Sequence, residues 1–177
     1  MRIIAGKFKG KRLKENSFDH IRPTTDKVKQ AIFTKLQFDI PGSRVLDLFC
    51  GTGALGIEAL SREAEEVIFV DLNEKSIKLT KENLRNINVQ SKVIKADALK
   101  IVEKLNGQFD FIFLDPPYAS GLYEKILQKI AECDLLRNDG LIICEHFKKD
   151  EFNYLPFEKI DEKNYGTISV TYLKKKE

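Results

Sequence analysis

Hydrophobic and polar residues follow two different periods along residues 41–177. Short apolar runs, typical of buried strands, occur in "RVLDLF", "EVIFVDL", "KVIKA", "FDFIFLD" and "GLIICEH". Between these runs, apolar residues recur at helical spacing in "GALGIEALSR", "NEKSIKLTKENLRNI", "ALKIVEKL" and "GLYEKILQKIAEC". Strands that alternate with helices predict a parallel sheet with helices on both of its faces.

Both ends of the chain depart from this alternation. "FEKIDEKNYGTISVTYLKK" predicts two strands about a turn near Asn164–Gly166, which would close the sheet with an antiparallel edge. "RIIAGKF" and "GKRL" predict a small hairpin, and "RPTTDKVKQAIFTKL" predicts a helix capped by Thr24 or Thr25. We therefore expect one α/β domain. Residues 41–177 would form a Rossmann-like, doubly wound, mostly parallel seven-stranded sheet, and residues 1–40 a hairpin and helix extension.

Composition narrows the class of protein. The chain has 177 residues, of which 42% are hydrophobic and 32% charged, an ordinary balance for a soluble domain. No apolar run approaches the roughly 20 residues of a membrane span, and the N-terminus lacks the apolar core of a signal peptide. Cys50, Cys133 and Cys144 show no CxxC spacing, so we expect no disulfide framework and no metal site. A monomer in the reducing cytoplasm is the expected form.

Basic residues cluster at the N-terminus, although the net charge is only +3. The first fourteen residues contain no acid and six bases, which are Arg2, Lys7, Lys9, Lys11, Arg12 and Lys14. Such a cluster favours a polyanion such as nucleic acid. Lysines also protect exposed strand edges from aggregation, and the segment alone leaves both interpretations open.

A glycine-rich loop follows the first predicted strand of the core. In "VLDLFCGTGALGIEAL", Gly51, Gly53 and Gly56 have G-x-G-x-x-G spacing between a strand and a helix. Asp71 ends the next predicted strand, where an acidic residue accepts hydrogen bonds from ribose hydroxyls. A plain strand–turn–helix with a capping aspartate is the alternative. Together the two features favour a nucleotide-type cofactor.

Further carboxylates help to choose between a dinucleotide and S-adenosylmethionine. Asp47, at the end of the first strand, is poorly placed for a pyrophosphate but suits the ammonium and sulfonium of S-adenosylmethionine. Asp97 could accept from the adenine amino group or cap the following helix. Phe49 could pack under the loop or line the pocket. Cys50 is better explained as a packing residue than as a nucleophile, because no histidine adjoins it.

The sequence Asp115–Pro116–Pro117–Tyr118 ends the strand "FDFIFLD". Proline cannot continue a central strand, so these residues should lie at the carboxyl edge of the sheet. The Asp115 carboxylate and the Pro116 carbonyl could each accept one N–H of an exocyclic base amine, and Tyr118 could stack on the base. The amine lone pair would then be free for methyl transfer. A strand that simply ends in a proline turn is the alternative.

These segments resemble a known family. "VLDLFCGTGALGIEALSR", "VIFVD" and "FIFLDPPY" are similar to class I S-adenosyl-L-methionine-dependent methyltransferases that modify exocyclic amino groups. "RIIAGKFKGKRL" followed by "RPTTDKVKQAIFTKL" resembles the RsmD-like family, which methylates the guanine 2-amino group in small-subunit ribosomal RNA. The resemblance implies an enzyme whose partner is this RNA or the assembling small ribosomal subunit.

The resemblance also implies roles for individual positions. It assigns the guanine to Asp115, Pro116, Pro117 and Tyr118. It assigns the cofactor to the glycine loop, the residues after the next two strands, and Thr24: Asp47, Phe49, Cys50, Gly51, Thr52, Gly53, Asp71, Leu72, Asp97, Ala98 and Thr24. It assigns the RNA to Arg2, Lys7, Lys9, Lys11, Arg12 and Arg22, with Pro23 beside them.

Four positions depart from the family pattern. Arginines are usual where this chain has Lys27 and Lys29, and we expect these lysines to keep the RNA contact. An acid is usual at Gln30, so a salt bridge from that position is in doubt. A glycine is usual at Glu63, which puts the geometry of a helix C-terminus in question.

Three other functions compete with this interpretation. A DNA amino-methyltransferase acting on adenine or cytosine could use the same motifs, but such enzymes usually carry an added sequence-recognition region. A nicotinamide-dependent oxidoreductase could use the glycine loop and Asp71 but leaves Asp115–Tyr118 unexplained. A non-catalytic RNA-binding protein would not be expected to keep both Asp71 and Asp115.

Overall fold

The computed structural model describes residues 1–15, 24–117 and 121–177. The predictions for Arg22, Pro23 and Tyr118 therefore lie outside the described residues. The helices are α1 (Asp26–Leu36), α2 (Ala54–Ser61), α3 (Glu74–Asn86), α4 (Ala98–Ile101) and α5 (Leu122–Glu132). The strands are β1 (Arg44–Leu48), β2 (Glu66–Asp71), β3 (Lys92–Lys95), β4 (Phe109–Leu114), β5 (Leu136–Phe147), β6 (Phe157–Tyr165) and β7 (Ile168–Lys175).

The strands form a seven-stranded sheet in the order β3-β2-β1-β4-β5-β7-β6. Neighbouring strands from β3 to β5 are parallel, and β7 pairs antiparallel with both β5 and β6. The predicted Rossmann-like sheet with an antiparallel C-terminal edge is confirmed. Leu48 pairs with both Val70 and Leu114, so β1, β2 and β4 end side by side. Phe49, Asp71 and Asp115 therefore meet at one edge of the sheet.

A hydrophobic core lies on each face of the sheet, because successive strand residues point to opposite sides. Phe111 and Phe113 pack with Phe33 of α1 in one core, while Ile112 and Leu114 pack with α5 in the other. The two cores hold the strand ends rigidly, so side chains at the carboxyl edge have a fixed frame.

The N-terminal hairpin forms as predicted, with a single bridge between Arg2 and Arg12. The Ile3 N–H donates to the Lys11 carbonyl at 2.9 Å, and the Gly10 N–H donates to the Ile3 carbonyl at 2.8 Å. Gly6 has φ +86, and a Cβ there would lie 1.9 Å from the Ser61 carbonyl oxygen. The hairpin therefore packs against the C-terminal end of α2 more closely than any side chain at position 6 would allow.

A buried ion network fastens the start of the hairpin to α2. Glu58 accepts the N–H groups of Ile4 and Ala5 at 2.9 and 3.1 Å, while its side chain is fully buried. Lys29 lies 3.3 Å from Glu58, and Arg62 lies 3.0 Å from it. Burial lowers the pKa of Lys29, and the Glu58 charge opposes that shift. The expected RNA contact of Lys29 is wrong, because this side chain is enclosed; Lys27 is exposed.

Two predicted elements differ in length from the observed ones. The helix expected over "ALKIVEKL" is only α4, and the chain then forms a turn in which the Lys104 N–H donates to the Ile101 carbonyl at 2.8 Å. Strand β5 begins at Leu136, four residues before the predicted start, and its register against β4 shifts between Phe109 and Phe111. Neither difference moves the carboxyl edge of the sheet.

The C-terminus of α2 ends in a left-handed residue, a conformation that favours glycine, although the residue here is Glu63. Glu63 has φ +71, in the left-handed region. The Ala64 N–H donates to the Ala59 carbonyl, and the Glu63 N–H donates to the Leu60 carbonyl. This pair of hydrogen bonds is the Schellman motif, which favours glycine at the position of Glu63. The geometry in question is therefore preserved, with backbone strain at one residue.

Within the described ranges, no helix is both long enough and apolar enough to cross a membrane.

Candidate active site

A cleft of about 1210 Å³ opens along the carboxyl ends of the parallel strands. It brings together most of the predicted cofactor and base residues, which are Thr24, Asp47, Phe49, Cys50, Gly51, Thr52, Asp71, Leu72, Asp97, Ala98, Asp115, Pro116 and Pro117. Gly53 instead begins α2 as its N-cap residue, with φ +82. The cleft lies where ligands bind in open α/β sheets.

The glycine loop and the start of α2 are held by contacts from two neighbouring elements, β2 and α3. The Gly51 N–H donates to Asp71 Oδ2 at 2.9 Å. The Thr80 hydroxyl of α3 donates to the Gly51 carbonyl at 2.8 Å. A Cβ at Gly56 would lie 2.3 Å from the Phe69 ring, so the third glycine lets α2 approach β2. The loop thus presents its backbone to the cleft in a fixed shape.

Asp71 is oriented by the backbone on both of its oxygens. Oδ2 accepts from Gly51, and Oδ1 accepts from the Asn73 N–H at 2.9 Å. Each carboxylate oxygen has a second lone pair that can accept from a ligand hydroxyl. The carboxylate at the end of β2 can therefore bind a ribose.

Asp47 is almost enclosed beneath the loop, with 2% of its surface exposed. Its Oδ2 accepts the Gly56 N–H at 3.0 Å. Burial raises the pKa of Asp47 to about 7; the Gly56 hydrogen bond opposes the shift and the Asp71 charge adds to it. A cation in the cleft would favour the ionised form of this carboxylate.

Asp97 caps α4, since its Oδ1 accepts the N–H groups of Leu99 and Lys100 at 2.9 and 3.3 Å. The capping interpretation is confirmed. Asp97 also lines the cleft, and its contact with adenine stays a prediction.

Cys50 and Phe49 line the cleft. Burial raises the pKa of the Cys50 thiol well above its usual range, which leaves it protonated and unsuited to act as a nucleophile. The packing interpretation of Cys50 is confirmed. Phe49 has φ +61, packs against the core on the α5 side and also lines the cleft, so both expectations for it hold.

Asp115, Pro116 and Pro117 follow β4 directly and line the cleft beside the glycine loop. The Asp115 carboxylate and the proline carbonyls bring hydrogen-bond acceptors to the part of the cleft beside the glycine loop. This arrangement can bind an N–H-bearing group, such as a base amine.

The far wall of the cleft was not predicted from the sequence. The Thr24 hydroxyl donates to Glu145 Oε2 at 2.6 Å, and Glu145 is 2% exposed. The rings of Tyr123 and Phe152 stack with centroids 4.3 Å apart, and the His146 ring meets both edge-on. Glu145 and His146 lie near the carboxyl end of β5. Their position after "GLIIC" is the signal that could have identified them.

The cleft and the hairpin carry opposite charge. Among the charged residues that line the cleft, nine are acidic, and Lys149 is the one lysine or arginine in the described part of the lining. The six basic residues of the hairpin are exposed, and in the described ranges only Lys14 forms an ion pair, with Glu82. An acidic cleft favours a cationic ligand, while the basic surface favours a polyanion. Across residues 1–15, 24–117 and 121–177, no group of three or more His, Cys, Asp or Glu could hold a metal ion.

This chain is similar to several known proteins. The family model described as Conserved hypothetical protein 95 matches residues 1–174. Ribosomal RNA small subunit methyltransferase D of Haemophilus influenzae is 35% identical, over 96% of this chain and 91% of that protein. A proposed rRNA methyltransferase of Bacillus subtilis, YlbH, is 39% identical over 99% of this chain and all of that protein. The solved structure of Escherichia coli yhhF, a proposed methyltransferase, has a TM-score of 0.88 at 28% identity, covering 99% of this chain and 98% of that chain.

Proposed function

Because this chain belongs to the Conserved hypothetical protein 95 family, we propose that it methylates the 2-amino group of a guanine in small-subunit ribosomal RNA, with S-adenosylmethionine as methyl donor. The RNA class is supported by relatives named ribosomal RNA small subunit methyltransferase D. One observation carries the amine target. The acceptors Asp115 and Pro116 follow β4, the glycine loop follows β1, and Asp71 ends β2. These three strands are neighbours, so all of these residues line one cleft.

The residues of the cleft fit S-adenosylmethionine better than a nicotinamide dinucleotide. In this proposal Asp71, whose oxygens already accept from Gly51 and Asn73, also accepts from the ribose hydroxyls, and the cleft residues Asp97 and Ala98 contact adenine. Asp47 and the other acids favour the positive charges of the ligand and disfavour a pyrophosphate. When bound, S-adenosylmethionine supplies an electrophilic methyl group attached to a sulfonium.

Asp115 and Pro116 act on the target amine. The carboxylate accepts one N–H and the proline carbonyl accepts the other, which turns the nitrogen lone pair away from both acceptors and toward the methyl donor. Pro116 and Pro117 stiffen the loop, so these acceptors need little reorganisation as positive charge develops on the nitrogen. Tyr118 stacks on the base in this proposal.

The RNA backbone binds outside the cleft, on the hairpin. The acidic lining repels phosphates, so only the target guanine enters the cleft, after it has turned out of the RNA base stack. Phosphates are neutralised by exposed basic side chains of the hairpin, which are Arg2, Lys7, Lys9, Lys11 and Arg12. We place this monomeric enzyme in the cytoplasm, with free ribosomal RNA or the assembling small subunit as its partner.

A methyl-transfer assay with tritiated S-adenosylmethionine tests the proposal. The substrates are a small-subunit rRNA transcript, small subunits from cells that lack this gene, and DNA of matching sequence. We expect label in one of the two RNA substrates, and nucleoside analysis should give N2-methylguanosine. Label in another nucleoside would overturn the guanine 2-amino assignment. Label in the DNA alone would favour the DNA amino-methyltransferase.

Calorimetry tests the cofactor separately. S-adenosylmethionine should bind the wild-type protein and NADH should not. Asp71→Ala should weaken S-adenosylmethionine by about 1.5–3 kcal/mol, because hydrogen bonds to a charged acceptor are lost. An unchanged affinity would assign Asp71 a purely structural role, and tight NADH binding without S-adenosylmethionine binding would overturn the cofactor.

A further inference from the structure

Asn83 of α3 connects the N-terminal hairpin to the glycine loop. Its Nδ2 donates to the Thr52 carbonyl at 2.9 Å and to the Lys14 carbonyl at 3.1 Å. Its Oδ1 accepts the Lys14 N–H at 2.8 Å. One side chain thus binds the backbone of the basic segment and the backbone of the loop that lines the cleft.

The amide of Asn83 has little freedom to turn. Its side chain is fully buried, and both Nδ2 hydrogens and Oδ1 have partners. Two carbonyls face Nδ2 and one N–H faces Oδ1, so exchanging the two ends of the amide would break all three bonds. Movement of the hairpin at Lys14 therefore changes the support of Thr52 directly.

Thr80 offers a matched comparison on the same helix face. Ser76, Thr80 and Asn83 follow each other at spacings of four and three, which aligns them along one side of α3. Thr80 holds the Gly51 carbonyl, and Asn83 holds the next carbonyl, that of Thr52. In the described part of the chain, Asn83 alone of these three also binds the hairpin.

The hairpin has a second attachment that does not involve the loop. Glu58 and Ser61 of α2 bind its first half, through the N–H groups of Ile4, Ala5 and Phe8. Removing the Asn83 amide therefore leaves the hairpin docked on α2. A substitution of Asn83 can therefore remove the hydrogen bond to the glycine loop while the basic hairpin stays bound to α2.

We infer that Asn83 is a positioning residue that couples RNA binding on the hairpin to S-adenosylmethionine binding at the glycine loop. The inference rests on the proposed function, since it takes both ligands from there. A bound RNA sets the position of the hairpin at Lys14, and the three hydrogen bonds of Asn83 transmit that position to the Thr52 carbonyl of the glycine loop. Because the two binding free energies are linked, each ligand strengthens the other by the same factor.

The test measures the dissociation constant of S-adenosylmethionine by calorimetry, with and without a saturating small-subunit rRNA fragment. In the wild type, RNA should tighten the cofactor by about fivefold or more, the lower end of typical coupling. In Asn83→Ala this ratio should fall to about one. In Thr80→Val the cofactor should bind more weakly, while the ratio stays at its wild-type value. A wild-type ratio near one, or an unchanged ratio in Asn83→Ala, would overturn the coupling.

Two Lys14 variants decide the case if Asn83→Ala does not fold. Lys14→Pro removes the N–H that Asn83 accepts, whereas Lys14→Ala removes the same charge and keeps that N–H. The ratio should fall in Lys14→Pro and persist in Lys14→Ala; equal ratios would contradict the role of Asn83.

Hydrogen exchange on the wild type gives a readout without RNA. S-adenosylmethionine should slow exchange of the Lys14 amide several-fold, and unchanged exchange would count against the connection. Failure of S-adenosylmethionine or RNA to bind the wild type would defeat the proposed function. Binding of both with a ratio of one would defeat the coupling alone.

Discussion

Replacement of Asp47 by asparagine should change how the stability of the protein depends on pH. Burial raises the pKa of Asp47 from the 3.8 of an exposed aspartate to about 7. Between these values the folded protein holds a proton that the unfolded chain has released, so wild-type stability falls as pH rises. The asparagine side chain does not titrate, and its amide oxygen can still accept the Gly56 N–H.

The size of the effect follows from the two pKa values. They differ by about 3, and each pKa unit corresponds to about 1.36 kcal/mol, so ionising Asp47 costs the folded state about 4 kcal/mol. The free energy of unfolding of Asp47→Asn minus that of the wild type should therefore rise by about this amount from pH 4 to just above pH 7. Taking the difference removes the contributions of the other titrating groups.

Urea unfolding at a series of pH values measures this difference. Circular dichroism is the suitable signal, because the chain contains no tryptophan. Two parallel pH curves would refute the reasoning, since Asp47 would then titrate as an exposed acid. A variant that loses stability against the wild type as pH rises would show that the ionised carboxylate is stabilised.

Two further predictions concern the backbone and the RNA surface. Glu63→Gly removes the strain of a side chain in the left-handed conformation, whereas the control Glu65→Gly loses the same charge without removing such strain. Glu63→Gly should therefore be the more stable of the two variants by about 1–2 kcal/mol. Equal thermal midpoints would contradict this. Neutralising three hairpin lysines should weaken RNA binding and lower its salt dependence by up to about one unit of slope per lost phosphate contact, without changing cofactor affinity. These lysines are Lys7, Lys9 and Lys11. An unaltered salt dependence of RNA binding would favour the interpretation that they only protect an exposed strand edge from aggregation.

The local chemistry of the site could be read from the sequence. The glycine spacing, Asp71 at a strand end and the prolines after β4 each depend on a few adjacent residues, and the parallel topology then brings them to one edge. Helix α4 was predicted too long because "ALKIVEKL" has helical periodicity, whereas the chain turns after Val102, which is fully buried. Tertiary packing overrides local preference at such positions.

The contacts between distant segments could not be read from the sequence. Lys29 looked like a surface charge, because a sequence shows the charge of a side chain and not its burial against Glu58, 29 residues further on. The Thr24–Glu145 hydrogen bond spans 121 residues, and the Asn83 contacts with Lys14 span 69. Such pairs follow from how helices pack on the sheet, which a single sequence does not specify.

The central claim is that Asp115 accepts an N–H of the target amine in the cleft shared with the glycine loop. Single-turnover methyl transfer to small-subunit rRNA, at saturating RNA and S-adenosylmethionine, tests it in the wild type, Asp115→Asn and Asp115→Ala. Asp115→Ala should bind the cofactor almost normally and lose about 10²–10³ in rate, the scale for removing one preorganised polar group. Asp115→Asn should fall between the two, because its amide oxygen still accepts. Equal rates for the two variants would contradict the acceptor role, and a wild-type rate for Asp115→Ala would contradict the site itself.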